Sequence, residues 1–268
     1  MARFCFIFLL LMVYSLLGWC GEMVYCSLGQ RKLCEKRGFL NGPICPIYGH
    51  GALTVLLCLN GGCENPLLTF FFGALLTSAV EYATSYAMEK LFHMRWWDYT
   101  QYRFHINGRV CLLNSTLFGL ASVFLCHLAN PSVITWLAPL FASGAGIPLS
   151  LIFLILYLTD IILSVRGAIR VSSRLARLHA IHDELARKLE SLRVESQQTV
   201  TARRRRLEDA ISVRLESARA EAQQKLHALY QRQDFFERRL LRSFPTSSSP
   251  RYPEALKKWK EYLENLKQ

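Results

Sequence analysis

Residues 4–28 read FCFIFLLLMVYSLLGWCGEMVYCSL, and residues 37–51 read RGFLNGPICPIYGHG. The first stretch is long enough to cross a bilayer, for which about 20 mostly apolar residues suffice. It exceeds the roughly 7–15 residues of a signal-peptide core, so it is expected to stay as a transmembrane helix. Its one charge is Glu22. An acid at membrane depth costs about 2.5–3.5 kcal/mol on insertion scales, and it persists where it meets a partner or lines a polar interior. The second stretch carries Pro43 and Pro46 among glycines, which predicts a discontinuous start to the next helix. Broken backbone at membrane depth is tolerated only where protein or a cavity satisfies it.

Four further segments have spanning character: 44–60 (short, with Pro46 and Gly49), 67–92, 110–129 and 148–165. Between the last two, residues 132–147 contain Trp136, Pro139 and Gly144-Ala145-Gly146. Together 132–165 would extend about 51 Å as one helix, too far for a single span. Two solutions remain: an interfacial or re-entrant piece before a span, or two short spans turning at the Gly-Ala-Gly. Basic residues favour the cytoplasmic side. Arg31, Lys32, Lys36 and Arg37 lie in one loop, and Arg95, Arg103 and Arg109 in another. The turns 61–66 and 130–132 have none. Five spans put both basic loops and the basic tail on one side. The expected class is therefore all-α: a five-span polytopic bundle with one interfacial or re-entrant segment, N-terminus outside, and a long cytoplasmic coiled-coil-like tail.

Charge divides the chain accordingly. Residues 1–165 carry nine Lys/Arg and seven Asp/Glu; the remainder carries 23 and 13. All nine cysteines fall in the first part, in no zinc or disulfide spacing, so they read as small apolar residues. The expected division is 1–166 transmembrane, 167–243 helical tail, 244–251 linker and 252–268 a short amphipathic helix.

Four acids lie in or at the ends of the expected spans: Glu22, Glu81, Glu89 and Asp160. Thr77, Glu81, Ser85 and Glu89 recur every four residues, a single polar stripe on an apolar helix. Ser15, Gly18, Glu22 and Tyr25 share a face of the first span; Tyr157, Asp160 and Ser164 share one on the last. Cys111, Ser115, Gly119, Ser122 and Cys126 form a small-residue stripe suited to close helix packing. Helices with such faces surround a polar interior. The candidate pathway residues are Glu22, Tyr25, Asn41, Pro43, Cys45, Pro46, Tyr48, His50, Glu81, Ser85, Glu89, Trp97, Asp98, Arg109, Asn114 and Asp160. The competing reading is structural: the acids pair with loop arginines and fix the packing. Trp96, Trp97 and Tyr99 suit a membrane–water boundary on aromatic preference alone.

Several of these residues occur in longer motifs. Tyr14-Ser15, Gly18-Trp19, Glu22, Tyr25-Cys26-Ser27, the run from Arg37 to Gly49, Glu81-Tyr82, Met88-Glu89-Lys90, Trp96-Trp97-Asp98-Tyr99 and Asn107-Gly108-Arg109-Val110-Cys111-Leu112 resemble, in order, a bacterial family. It is the family named putative ABC-transporter type IV, or CmpB-like permease, and the resemblance covers about residues 10–165. Lys36 and His105 stand where that family usually has Asn. The resemblance implies a permease of the bacterial inner membrane. This chain has no G-x-x-x-x-G-K-[ST] motif, so nucleotide hydrolysis requires a separate ATPase subunit.

In the tail, no Pro or Gly occurs from Ala168 to Phe244. Leu178, His182, Leu185, Leu189 and Leu192 fit heptad spacing. Leu207, Ile211, Leu215, Ala218, Ala222, Leu226 and Leu229 follow an 11-residue repeat. So thin a seam suits self-association or a hairpin. Arg203, Arg204, Arg205 and Arg206 are candidates for contact with anionic lipid or a partner; nucleic acid is not an expected partner. Leu256, Trp259, Leu263 and Leu266 form the apolar face of the last helix. The expected partners are the bilayer, further copies of the chain and the ATPase; no cofactor or metal is implied. A membrane-anchored scaffold is the alternative from another class. An intramembrane enzyme using Glu22, Glu81 and His50 is weaker, since no nucleophile–base pair is visible.

Overall fold

The computed structural model describes residues 1–30, 38–59, 64–198, 204–231 and 235–265. Arg31, Lys32, Lys36, Arg37 and Arg203 lie outside the described residues. The described chain is mostly helical, with non-helical stretches between helices and one hairpin of two two-residue strands. Its elements are α1 (Ala2–Gln30), α2 (Pro46–Cys58), α3 (Pro66–Phe92), β1 (His105–Ile106), β2 (Val110–Cys111), α4 (Leu112–Phe124), a π-helical turn (Leu125–Ala129), α5 (Asn130–Ala142), α6 (Gly146–Gln198), α7 (Arg204–Gln231), α8 (Phe235–Ser243) and α9 (Pro253–Asn265).

Four helices are long and apolar enough to cross a membrane: Ala2–Leu28, Pro66–Phe92, Leu112–Ala142 and Gly146–Leu192. They correspond to four of the five expected spans. The fifth, at 44–60, is the 13-residue α2. It extends about 20 Å against a hydrocarbon core of about 30 Å. Pro46 begins it, where a missing N–H costs nothing. Residues 38–45 before it are non-helical, and Cys45 donates its backbone N–H to the Ser15 carbonyl, midway along α1. The expected discontinuity is therefore real and lies against the middle of a membrane-length helix.

The expected turn at 130–132 is absent, and with it the separate interfacial or re-entrant segment 132–147. A Pro normally ends a helix because it lacks a donor and its ring strikes the preceding turn. Here the widened turn Leu125–Ala129 absorbs both effects, so α4 continues into α5. Asn130 is buried and accepts the Tyr14 hydroxyl at 2.7 Å. The chain reverses instead at Ser143–Ala145, where Gly144 takes φ +81°, as the second sequence alternative allowed.

By its contacts the chain forms two compact units. The first comprises Met1–Ala168 with Arg239–Ser248. Its apolar core joins Leu9, Leu10 and Tyr14 of α1 to Val55 and Leu56 of α2, Cys126 and Leu137. The α3–α4 seam uses the small-residue stripe: Gly73 faces Ser122, Gly119 faces the Phe70 ring and carbonyl, and Ser78 and Ser115 share a 2.7 Å hydrogen bond. The stretch 244–251, expected as a linker, is not loose. Residues up to Ser248 are packed into this unit, and Ser248 exchanges backbone hydrogen bonds with Arg95.

The second unit comprises Ile169–Arg238 with Ser249–Gln268. In it α7 runs antiparallel to α6 within one chain. Lys188 reaches Glu221 at 3.6 Å and Lys225 reaches Glu184 at 3.9 Å. Such exposed pairs contribute little; the buried anchor is Arg174. Its guanidinium meets Glu237 at 2.9 Å and lies over the Trp259 ring of α9. Val171, Leu175, Leu178, Leu256, Trp259 and Leu263 are all buried. Arg204–Arg206 lie in the first turn of α7 by backbone.

Burial pushes the Lys260 ammonium down to about 8, with Glu264 opposing the shift. The unfolded chain keeps this proton to about 10.4, so it binds more protons than the folded chain between those values. Stability of this unit is therefore expected to rise as pH climbs from about 8 to 10, by roughly 1–2 kcal/mol once residual exposure is discounted. Amide exchange of α9 in the intact protein measures it. Lys260→Met should flatten that slope; an unchanged slope would assign it to another group.

Candidate polar site within the membrane unit

Three carboxylates sit in a connected band of the first unit, each held by neutral donors. Glu22, half-buried on α1, accepts the Tyr48 hydroxyl at 3.1 Å, and the Cys45 thiol lies at 3.8 Å. Both partners come from the broken motif and the first turn of α2. The Tyr48 ring also packs against Phe118 of α4 at 6.2 Å.

Glu81 lies midway along α3 and is 5% exposed. Asn114 of α4 donates to the Tyr99 hydroxyl at 2.6 Å, and Tyr99 donates to Glu81 Oε1 at 3.0 Å. Glu81 Oε2 is buried and has no hydrogen-bond partner among the described residues. Glu22 lies within electrostatic reach of both Glu81 and Tyr99. Burial and the neighbouring Glu81 raise the Tyr99 phenol well above its ordinary value, so it remains a donor.

Asp160 of α6 occupies a cage built by the broken motif. Its oxygens accept the backbone N–H of Asn41 at 2.9 Å, the Asn41 amide at 2.6 Å and the backbone N–H of Gly42 at 2.7 Å. Ser164, one turn on, also takes a hydrogen bond from Asn41. Satisfying one carboxylate with consecutive backbone donors is the chemistry of a backbone nest. Among the described residues the expected pairing with loop arginines does not occur at Asp160; Arg31 and Arg37 lie outside them.

It does occur at Glu89. Arg95 and Arg109 both reach its Oε2, at 2.6 and 2.8 Å. Arg109 is buried, approaches Ser85, and lies over the Tyr82 and Tyr86 rings. The β1–β2 hairpin presents it. Asn107 and Gly108 take positive φ, and a Cβ on Gly108 would come within 2.8 Å of the Asp98 carboxylate. The Arg109 carbonyl accepts the Trp97 indole N–H at 3.1 Å. Asp98 accepts from Thr100 and Ser248; burial opposes ionisation there, but these bonds and Arg95 hold its carboxyl below the usual range.

Most of the sequence candidates are thus brought together around Glu22, Glu81, Glu89 and Asp160. Tyr25 and His50 are not. Tyr25 is 55% exposed, and exposed His50 turns its ring to the Pro46 carbonyl of its own helix. Pro43 is exposed and Pro46 shapes the helix start, so neither supplies a polar group. Tyr99, assigned above to an interfacial belt, is the residue that sequence reasoning passed over. Its signal was its place next to Asp98 in a loop that already carried three candidates, Trp97, Asp98 and Arg109. Arg239, discussed below, was also missed. Among the described residues no group of three or more His, Cys, Asp or Glu is placed to hold a metal ion.

No curated protein and no solved structure matches the chain. A family model does, over residues 9–165, the stretch that contains Glu22, Glu81, Glu89, Asp98 and Asp160. With that match covering more than half of its length, the chain belongs to the membrane-protein family described as Putative ABC-transporter type IV.

Proposed function

We propose that this chain is the permease-like membrane subunit of a transport system, that it works as an oligomer, and that a separate ATPase subunit powers it. The Glu22–Tyr48 and Glu81–Tyr99–Asn114 network is its working polar site. In this reading five segments cross or enter the bacterial inner membrane, the N-terminus is outside, and the basic tail is cytoplasmic. The observation that carries it is Glu81: a mid-helix carboxylate, 5% exposed, held among the described residues by a phenol instead of a cation, with one buried oxygen that has no hydrogen-bond partner among them. A carboxylate kept only for packing is better placed against an arginine, as Glu89 is. Intramembrane ionisable groups without a fixed counter-ion mark ion, proton or substrate paths.

Gentle extraction of the intact protein from native membranes tests the reading without knowledge of the substrate. An ATPase subunit is expected to come with it. Glu81→Gln should preserve the assembly yet lower its ATP hydrolysis by about tenfold or more, as loss of a working interaction does. Repeated recovery without any ATPase, or undiminished hydrolysis in the variant, would defeat the proposal. The second reading is a scaffold, favoured by the α6–α7–α9 assembly with its buried Arg174–Glu237 pair. It predicts the reverse: removing residues 170–268 abolishes function and Glu81→Gln does not.

A further inference from the structure

The segment Arg239–Ser248 lies outside the family match, yet it is part of the membrane unit. It touches both loops that hold the carboxylates. At one end the Arg239 guanidinium donates to three consecutive carbonyls, those of Gly38, Phe39 and Leu40, at 3.3, 2.7 and 2.7 Å. The next residues, Asn41 and Gly42, are those whose N–H groups hold Asp160. At the other end Ser248 pairs with Arg95 through backbone bonds of 2.8 and 2.9 Å and donates its hydroxyl to Asp98 at 2.9 Å. Arg95 binds Glu89, and Tyr99, beside Asp98, binds Glu81. Between these ends the Phe244 ring packs edge-on against Trp96, which is 2% exposed.

We propose that Arg239–Ser248 is a built-in latch that holds the broken motif and the 93–111 loop closed over the polar site, with Arg239 as its positioning residue. The proposal takes the network described above as the working site. The physical reason is that carbonyls at the start of a non-helical stretch need donors. A helix supplies its own; residues 38–40 borrow theirs from a side chain some 200 positions away. Three bonds to one planar fork also fix direction, since the guanidinium is rigid where an ammonium is not. With Arg239 withdrawn, the three carbonyls need water, and the amide cage on Asp160 loses its support. The polar part of the latch consists of hydrogen bonds from Arg239 and Ser248 and one ring stack, which can be exchanged for water one at a time; Leu240 and Leu241, both buried, seat the segment beside them. Opening it exposes the motif from the side on which residues 239–248 lie.

The test reads the motif directly and does not depend on transport. In the full-length protein, amide exchange of residues 38–45 and maleimide labelling of Cys45, resolved by mass spectrometry, are compared between the natural chain and Arg239→Gln. Both should rise by about tenfold or more, as expected for loss of a local protecting contact, while Arg242→Gln, exposed on the same helix, changes neither. Unchanged exchange and labelling in a folded Arg239→Gln protein would overturn the latch. Ser248→Pro, which deletes the N–H given to Arg95, serves if that variant does not fold, with the same two outcomes. A cysteine pair at positions 95 and 248 closes the latch covalently. Oxidised, it should keep Cys45 protected and stop whatever ATP hydrolysis the same variant shows when reduced, and reductant should return both labelling and hydrolysis to that variant's reduced level. Full labelling of Cys45 in the oxidised protein would overturn the latch. Protected Cys45 with hydrolysis unaffected would keep the latch and overturn the working-site reading.

Discussion

Gly49→Ala is expected to be among the most damaging single-methyl changes in this protein, costing about 2–3 kcal/mol through overpacking. A Cβ at residue 49 would lie 2.2 Å from the Ser15 hydroxyl and 2.6 Å from the Leu11 carbonyl. One of those obstacles is backbone, so rotamer adjustment alone does not relieve it, and α1 and α2 must separate. Separation also breaks the Cys45 N–H to Ser15 carbonyl bond that seats the broken motif. The check is a double-mutant series in full-length protein, read as the thermal midpoint in detergent. Ser15→Gly should recover only part of the loss, about 1 kcal/mol, because the Leu11 carbonyl remains. Full recovery would show that the hydroxyl alone sets the spacing; no loss in Gly49→Ala would refute the close approach itself.

Arg109→Met is expected to cost about 3 kcal/mol, the usual effect of removing one partner from a buried ion pair. Arg109 bridges Glu89 at 2.8 Å with its own side chain 8% exposed, and it stacks on two tyrosine rings of α3. Lysine should rescue little, since a compact ammonium neither stacks nor reproduces the planar fork. Glu89→Gln alone strands the guanidinium. The double variant should therefore lose clearly less than the sum of the singles. Strict additivity, measured by thermal midpoints on the four proteins, would mean that the pair is energetically unlinked.

How far the sequence reached depends on range. The stripe Thr77–Glu81–Ser85–Glu89 was legible because four-residue spacing puts side chains on one helix face whatever they meet. The stripe from Cys111 to Cys126 was legible for the same reason. What each acid meets was not. Glu89 and Asp160 look alike in the sequence, one acid near the end of an apolar run. Yet Glu89 takes two arginines and Asp160 takes two backbone amides and an asparagine. The difference lies in where a Pro-broken segment folds back, 118 and 119 positions away for the amides. The turn expected at 130–132 is absent for a related reason: the π-helical turn before Pro131 lets the helix run on through it.

The Ser- and Pro-containing stretch after Ser243 reads as linker by composition, because composition reports what a segment does when nothing holds it. Arg95, Asp98 and Trp96 hold this one. Periodicity and apolar length alone therefore settle that the chain is mostly helical, that it carries helices of membrane length, and which faces are polar, since these are properties of consecutive residues. The pairing of each carboxylate, the continuity of α4 with α5, and the return of Arg239–Ser248 to the membrane unit were settled only in the folded chain. Each depends on a donor, an acceptor or a packing surface brought in from far along the chain, and no local pattern encodes such distances.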